Sequence, residues 1–350
     1  MSKTEATYRA VMLDSSSSLK DFSMDRKKYY RKYILGEKVE DKEVNYAATI
    51  GRIVETLLLE PEEFDNRFYM SACAGPPTGL MLEFVEALSS LTEKFTNDSG
   101  VLTIEFEEVA KEAYIKSGFK IKLEAVLNKF IGSDAEIFYN EIMKVKANNL
   151  TVVTTQDVTN AERVVEELKS NFVTSGIINL VDSERYLILN QHQIEGYEID
   201  DHLFKSMLDK VIVDHKEKTI YIYDLKCTWS VEGFYKEYYL YRRAYIQGYL
   251  YFKAVQSMTL KEGTEVFGYT VKPPKFLVCD STSYYNPLIY EMNALDLFDA
   301  YHGFSFENRT YPGVKDLIAD LKWALDNNTW NISRKSYLTN GVINMKGHEN

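Results

Sequence analysis

The 350-residue sequence contains few cysteines, no long apolar run and no surplus of basic residues. Its three cysteines, Cys73, Cys227 and Cys279, lie far apart and form no Cys-x-x-Cys pair, which argues against a disulfide framework and against a zinc or iron–sulfur site. A membrane-spanning helix needs about 18 or more consecutive apolar residues, and no stretch approaches this length. The first residues also lack the basic and apolar regions of a secretion signal, so we expect a cytoplasmic protein with no membrane partner.

The balance of charge limits the kind of nucleic-acid contact to expect. The formal net charge is -11, whereas a large passive nucleic-acid surface normally needs a surplus of lysine and arginine. An enzyme that grips DNA locally is not excluded, because carboxylates gathered around a metal ion are neutralised once the metal is bound. The hydrophobic fraction of 45% and the aromatic fraction of 13% indicate an extensive core, enough for one large α/β domain or two small ones.

Changes in hydrophobic period along the chain predict helices around a group of strands. Helical spacing and capping residues predict a short helix after the Ser-rich segment at 15–18 and helices over 45–60, 158–171, 235–254 and 314–327, the last with Leu321 and Trp323 as core candidates. Residues rich in β-branched and aromatic types predict strands over 186–193, 203–214, 219–228 and 264–278, the last broken by Pro273 and Pro274. The region from about 75 to 150 begins with a Gly/Pro cluster and is expected to form a helical insertion.

The strands predicted at 203–214 and 219–228 carry the residues with chemical potential. A hairpin that joins them through residues 215–218 would pair Asp214 with Thr219, and Asp209 would then lie opposite Asp224. Directly paired residues point to the same face of a sheet, and the two-residue period places Lys226 on that face beside Asp224. Two carboxylates and one ammonium group are therefore expected to meet.

Two carboxylates at close range are expected to require a cation between them. Directly opposed carboxylates destabilise a sheet by up to about 1 kcal/mol, so their place within apolar strands indicates a compensating positive charge. Hard oxygen ligands favour Mg²⁺ or Mn²⁺ over zinc. A bound metal could orient and acidify a water molecule, while Lys226 could position that water or neutralise developing negative charge on a phosphate.

The same residues have a plainer interpretation. Asp209 and Asp224 could face solvent on the polar side of an amphipathic hairpin, and Asp-Leu-Lys could be a chance tripeptide. The metal-site interpretation is preferred because the motif ends an apolar strand, an aspartate precedes it at hairpin-compatible distance, and a helix with its own polar stripe follows.

The helix that follows the motif offers further polar residues. Lys236, Leu240, Arg243 and Gln247 are spaced by four, three and four residues, which predicts one helical face. Arg243 and Lys236 are candidates for DNA contacts, and Gln247 is a candidate for the active site. Tyrosines at 238, 241, 245 and 249 occupy another face; they could stack on bases, but an aromatic stripe at helical spacing is more typical of core.

The order strand-Asp, strand-Asp-x-Lys, helix-Gln resembles that of the PD-(D/E)xK nuclease superfamily, and its RecE-like (exonuclease VIII) and λ-exonuclease-like phage branches in particular. The resemblance covers most of the chain and is carried by Ser18-Leu-Lys-Asp-Phe, the Gly51–Pro61 helix, Thr154-Thr-Gln-Asp, Ser183-Glu184, Lys205–Asp209, Asp224-Leu-Lys226-Cys-Thr and Gln247 in Tyr245-Ile-Gln-Gly-Tyr. One position departs from the pattern, because Glu55 stands where the RecE-like branch usually has histidine. The λ-exonuclease branch is known for an acidic residue in this helix.

The resemblance implies a single α/β nuclease domain over 1–350, with a restriction-endonuclease-like core at about 180–280, a small mixed sheet flanked by helices, and the insertion at about 75–150. It implies a Mg²⁺-dependent exonuclease, Mn²⁺ being a substitute, that degrades double-stranded DNA from 5′ to 3′ in phage recombination or replication in the host cytoplasm. The implied ligands are Asp209, Asp224, the Leu225 carbonyl and Glu55, with Lys226 and Gln247 assisting catalysis. A single-strand annealing or other recombination protein and a homo-oligomer are the implied partners.

Other functions stay open at the level of sequence. A structure-selective endonuclease or nickase could use the same metal site. A catalytically silent relative could bind DNA or protein, and an unrelated α/β protein could match the motifs by chance.

Overall fold

A computed structural model of the chain describes residues 5–37, 46–71, 77–97, 99–148 and 150–342. The chain divides into two compact units, one made of Met1–Pro61 with Asn160–Asn350 and the other of Glu62–Thr159. Cys73 and the first half of the Gly/Pro cluster lie outside the described residues. Within the described parts of the chain, no helix is long and apolar enough to cross a membrane.

Helices account for much of both units. The α-helices are α1 (Glu5–Ala10), α2 (Ser16–Met24), α3 (Arg26–Tyr29), α4 (Tyr46–Leu59), α5 (Phe64–Arg67), α6 (Leu80–Lys94), α7 (Phe106–Ser117), α8 (Leu123–Phe130), α9 (Asp134–Asn148), α10 (Thr155–Ser170), α11 (Ser175–Ile178), α12 (Ala244–Thr259), α13 (Ala294–His302), α14 (Val314–Asn327) and α15 (Arg334–Leu338). Two π-helical segments, Tyr30–Ile34 and Tyr235–Tyr241, and a 3₁₀ turn at Pro61–Glu63 complete the helical structure.

The strands form one large mixed sheet and two small pairs. They are β1 (Phe68–Met70), β2 (Thr151–Val153), β3 (Tyr186–Ile199), β4 (His202–Asp214), β5 (Thr219–Thr228), β6 (Thr270–Val271), β7 (Lys275–Asp280), β8 (Leu288–Glu291), β9 (Gly303–Phe306) and β10 (Arg309–Pro312). The large sheet has the order β3-β4-β5-β7-β8, with β6 also paired to β5. β3, β4 and β5 run antiparallel, β6 and β7 are parallel to β5, and β8 is antiparallel to β7.

Alternate residues of β5 serve two hydrophobic layers of the first unit. Ile220 and Ile222 join the main core, to which α2, α12, α13 and α14 contribute. Tyr223 belongs to a smaller cluster that includes residues of α11, and Leu225 packs against it. This alternation is the two-residue period of a strand covered on both faces. The expected mixed α/β fold, a mixed sheet flanked by helices, is confirmed.

The second unit has its own core. Helices α6 to α9 pack around a cluster in which Phe84, Leu88 and Val109 are fully buried. β1 and β2 form a parallel pair in the same unit. The insertion expected at about 75–150 falls within this unit.

Most elements predicted from hydrophobic period are confirmed with shifts of no more than three residues at their ends, except that the strand predicted over 186–193 continues to Ile199. The structure has α4, α10, β3, β4, β5 and α14 where a helix or strand was expected. Leu321 is fully buried, and Trp323 is a partly buried residue packed against the main core.

Two predicted elements are wrong in their continuity. The helix expected at 235–254 is a π-helical segment followed by a break at Arg242 and Arg243 and then by α12, which continues to Thr259. Arg243 adopts a left-handed conformation with φ of 56°, which no continuous helix contains. The strand expected at 264–278 is reduced to β6 and β7, because Thr264 bonds back to the Lys261 carbonyl and the two prolines between the strands have no N–H to donate.

Candidate active site

The candidate site lies where β4 and β5 stop pairing. Their register runs from Asp214 opposite Thr219 to Lys210 opposite Tyr223, so the loop at 215–218 is as predicted. Asp209 and Asp224 are the next residues in this register, one step beyond the last pair. The Asp209 carboxylate accepts a hydrogen bond of 2.7 Å from the Leu225 N–H. Beyond the last backbone pair, a side chain thus links the two strands.

Asp224 is fully buried, and each of its carboxylate oxygens has a polar partner. Its Oδ1 accepts a hydrogen bond of 2.8 Å from Gln247 Nε2. Its Oδ2 forms an ion pair with Lys226 but accepts no hydrogen bond of normal geometry. The Lys226 ammonium also lies 3.4 Å from the Leu225 carbonyl oxygen. The two oxygens of Asp224 therefore have different partners, Gln247 on Oδ1 and the Lys226 ammonium on Oδ2, and the same ammonium also contacts the Leu225 carbonyl.

Gln247 reaches Asp224 because α12 packs closely on the sheet. Tyr245, Ile246 and Leu250 of α12 are fully buried in the main core. At Gly248, a Cβ atom would clash with Met292 Sδ and lie 3.4 Å from Phe276 Cζ, so glycine lets the helix approach β7 and the residue that follows β8. Gln247 also donates to the Tyr251 hydroxyl at 2.9 Å, one helical turn further along.

Glu55 comes to the same place on α4. This helix approaches β5 at Gly51, where a Cβ atom would lie 3.1 Å from Cys227 Cβ. Gln191 of β3 donates to Glu55 Oε1 at 2.6 Å from a left-handed backbone position with φ of 45°. Such a conformation is costly for a residue other than glycine, and here it lies beside polar groups of the candidate site.

The charges in the site act strongly on one another. Burial, followed by the negative charges of Asp224 and Glu55, raises the pKa of Asp209 well above its ordinary value. Burial acts to lower the pKa of Lys226, but the carboxylates of Asp224, Asp209 and Glu55 outweigh it and the pKa is raised. Lys226 therefore stays charged. Three carboxyl groups surround this one ammonium group, and an added cation would favour the ionised form of all three.

The donor set suits a hard divalent cation that keeps part of its water shell. Within the described ranges, no group of three or more His, Cys, Asp or Glu side chains is placed so that it could hold a metal ion. Mg²⁺ does not require one, because it is commonly held by one or two carboxylates with waters and substrate phosphates filling the other positions. The residues present fit this pattern through Asp224 Oδ2, the Asp209 carboxylate and the Leu225 carbonyl.

The structure brings together some of the residues singled out in the sequence and not others. Asp209, Asp224, Leu225, Lys226, Gln247 and Glu55 form one connected group. Lys236 is exposed and pairs with Glu307. Arg243 packs near Tyr245 and Tyr311, and its Nη1 is buried without a hydrogen-bond partner among the described residues. The helical face expected to unite Lys236, Arg243 and Gln247 is absent because the helix breaks between them.

Three residues of the group were not recognised in the sequence. Tyr251 follows Gln247 by four residues, so the helical period could have indicated it. Gln191 lies in β3 and gives no local signal. Lys20 of α2 donates to Gln247 Oε1 at 3.3 Å, and its charge interacts with those of Lys226, Asp224 and Arg242. Burial and the nearby Lys226 lower the pKa of Lys20 to about 8.

The fold and the site together define a mixed α/β protein with a buried carboxylate–lysine cluster at a point where two strands separate. No protein-family model matches the sequence, and no curated protein matches it significantly. Among solved structures, the chain is similar to a crystal structure from Eubacterium rectale described as a "Putative exonuclease", with 13% sequence identity, a TM-score of 0.47, and coverage of 95% of this chain and 89% of that chain. A likeness of this degree establishes neither a family nor an activity for this chain.

Proposed function

We propose that this protein is a Mg²⁺-dependent nuclease that hydrolyses phosphodiester bonds of DNA through a PD-(D/E)xK-type site. One observation carries the proposal: Asp224 and Asp209 are both buried, their carboxyl groups interact electrostatically with each other and with Glu55, and one lysine, Lys226, pairs with Asp224. Two buried carboxylates that share one ammonium group cost free energy unless a further cation joins them. A simple structural ion pair would not need a second buried carboxylate next to it.

Asp209, Asp224 and the Leu225 carbonyl would hold the metal, with Glu55 as a further ligand or a group that supports one. The metal, when bound, supplies Lewis acidity and lowers the pKa of a water molecule. Lys226 keeps its charge and contributes a positive point next to Asp224, suited to orienting the attacking water or neutralising a phosphate oxygen. Gln247 holds Asp224 Oδ1, which leaves Oδ2 directed toward the cation.

The finer assignment rests on the order of the motifs. We propose an exonuclease of the RecE-like or λ-exonuclease-like type, acting from 5′ to 3′ on double-stranded DNA in phage recombination or replication. An annealing or other recombination protein, and a second copy of the chain, are its proposed partners. The contacts of Lys236 and Arg243 with DNA stay predictions.

The test compares end-labelled linear DNA with covalently closed circular DNA in the presence of Mg²⁺. The native chain is expected to degrade linear DNA and to leave closed circles intact. Asp224→Asn, which preserves the shape of the side chain, should reduce cleavage by at least about 100-fold, more than the 10- to 100-fold typical of residues that only orient a metal ligand. Asp326→Asn, on the exposed end of α14, is the matched control and should retain activity.

Each other result has a clear meaning. Nicked or linearised circles would identify an endonuclease that uses the same site. A native chain that binds DNA but cleaves neither substrate with Mg²⁺ or Mn²⁺ would overturn the nuclease proposal in favour of a binding protein. Thermal unfolding of both variants shows that any loss of cleavage comes from a folded protein.

A further inference from the structure

Lys20 stands at the head of a hydrogen-bond chain that leads to Asp224. Its Nζ donates to Gln247 Oε1 at 3.3 Å, and Gln247 Nε2 donates to Asp224 Oδ1 at 2.8 Å. Gln247 itself is buried. Within the described ranges, Lys20 forms no ion pair with a carboxylate, so its contact with Gln247 is its direct link to the site. Lys20 and Gln247 lie 227 residues apart in the chain.

The chemistry of the ammonium group decides which way the Gln247 amide points. A lysine ammonium can only donate hydrogen bonds, so the atom of Gln247 that faces Lys20 must be the carbonyl oxygen. The amide nitrogen is then forced toward Asp224 and Tyr251, where it donates to both. A flipped amide would set its oxygen against Asp224 Oδ1 and its nitrogen against the Lys20 ammonium, so both hydrogen bonds would be lost. Lys20 thereby reinforces one of two orientations that are nearly equal in shape.

The helix that carries Lys20 is firmly held on both sides of this residue. Leu19 and Phe22 are buried in the main core. Ser15 and Ser18 form a capping box at the start of α2. Asp14 accepts hydrogen bonds from Ser18 Oγ at 2.7 Å and from the Tyr29 hydroxyl at 2.9 Å, and its backbone carbonyl accepts from the Lys205 N–H of β4 at 2.8 Å. The position of Lys20 is thus tied to the strand that carries Asp209.

We infer that Lys20 is a positioning residue of the candidate active site: it orients the Gln247 amide, which holds Asp224 Oδ1 and leaves Oδ2 for the cation. The inference rests on the proposed function, since it describes how the metal ligand is held in place. Groups that orient metal ligands commonly contribute 10- to 100-fold to affinity or activity. The competing role for Lys20 is a direct contact with a DNA phosphate, independent of Gln247.

The direction of the change in metal binding separates a positioning role from a simple effect of charge. Removing a positive charge near the site should by itself strengthen the binding of a divalent cation. If Lys20 positions Gln247, however, Lys20→Met should weaken the binding of Mn²⁺ by about 10-fold, because the Asp224 carboxylate is no longer held. Weaker binding in this variant therefore cannot come from the lost charge.

The experiment is a double-mutant cycle of Lys20→Met and Gln247→Leu, with Mn²⁺ binding measured by titration calorimetry on the full chain. Lys20→Met is expected to weaken binding in the native background and to leave it unchanged or stronger in the Gln247→Leu background, because residues that act through one another are not additive. Lys20→Arg keeps a cationic donor and should restore most of the affinity. Lys27→Met, at an exposed lysine of α3, is the control and should bind Mn²⁺ as the native chain does.

Equal effects of Lys20→Met on Mn²⁺ binding in the two backgrounds would overturn the inference. A change confined to DNA affinity and its salt dependence would also overturn it and would assign Lys20 to phosphate contact instead.

If the native chain binds Mn²⁺ but does not cleave DNA, the nuclease proposal fails while the cycle still decides the role of Lys20. If the native chain binds no divalent cation, both fail. Thermal unfolding confirms that each variant is folded, and Lys20→Gln replaces Lys20→Met if methionine is not tolerated.

Discussion

Burial of the Asp224 carboxylate costs free energy and at the same time prepares this residue to bind a cation. A carboxylate with no exposed surface loses its hydration, and the loss is offset here by Lys226 on one oxygen and by Gln247 on the other. A second carboxyl group lies nearby, because burial and then the charges of Asp224 and Glu55 raise the pKa of Asp209. The residue is therefore poised to gain from a cation more than from a neutral partner.

Asp224→Asn should bind DNA more tightly than the native chain when divalent metal is removed by a chelator. A phosphate brought to the metal-free site is repelled by the carboxylate, and two unit charges about 4 Å apart in water interact by on the order of 1 kcal/mol, which corresponds to about fivefold in affinity. Fluorescence anisotropy with labelled DNA measures the change, with Asp326→Asn as control. Unchanged or weaker binding would show that phosphate does not approach Asp224.

The hairpin of β4 and β5 sets the register on which the candidate site depends. Asp214 closes its loop by accepting hydrogen bonds of 3.0 Å from the N–H groups of both Lys216 and Glu217. It also forms an ion pair of 2.7 Å with Arg185. The hydrogen bond from Arg185 is the main cause that lowers the pKa of Asp214 from 3.8.

Because the pKa of Asp214 is lower in the folded state, its contribution to stability is present above 3.8 and is lost as the pH falls through the lowered value. Asp214→Asn should therefore reduce the free energy of unfolding at neutral pH and make little difference in strong acid. Urea unfolding at the two pH values measures this, with Asp326→Asn as the control at an exposed carboxylate. A difference that persists undiminished in acid would rule out the charge of Asp214 as its source.

Hydrophobic period predicted the elements well and their junctions poorly. Strands β4 and β5 and helix α14 were expected from local pattern, since each repeats its apolar residues over ten or more positions. The sequence contains no signal for the break at Arg242 and Arg243, because neither glycine nor proline occurs there. The left-handed backbone at Arg243 separates the π-helical segment from α12, so Lys236 and Gln247 do not share one helical face.

On the scale of the whole molecule, the unit that contains the candidate site and the helical unit each have their own hydrophobic core. All residues of the site belong to the unit made of Met1–Pro61 and Asn160–Asn350. The cluster around Phe84, Leu88 and Val109 lies in the unit Glu62–Thr159. Each unit thus has apolar burial enough to be a cooperative body of its own.

Leu88→Ala should destabilise the helical unit by about 2–5 kcal/mol, the usual cost of removing a fully buried leucine side chain. Hydrogen exchange should show faster exchange in α6 to α9 and unchanged protection in β4 and β5. Leu80→Ala, at an exposed leucine at the start of α6, is the matched control. Equal loss of protection in both units would show that they unfold as one body.

The local sequence determined that Asp209, Asp224 and Lys226 would share one face of a hairpin, because loop length sets the register of antiparallel strands and side chains alternate with a period of two. Only the tertiary structure decided which groups surround them. Lys20, Glu55 and Gln191 reach the site on α2, α4 and β3, through contacts between parts of the chain more than 100 residues apart. Such contacts depend on how buried apolar faces pack against one another, and no spacing within a single segment encodes that arrangement.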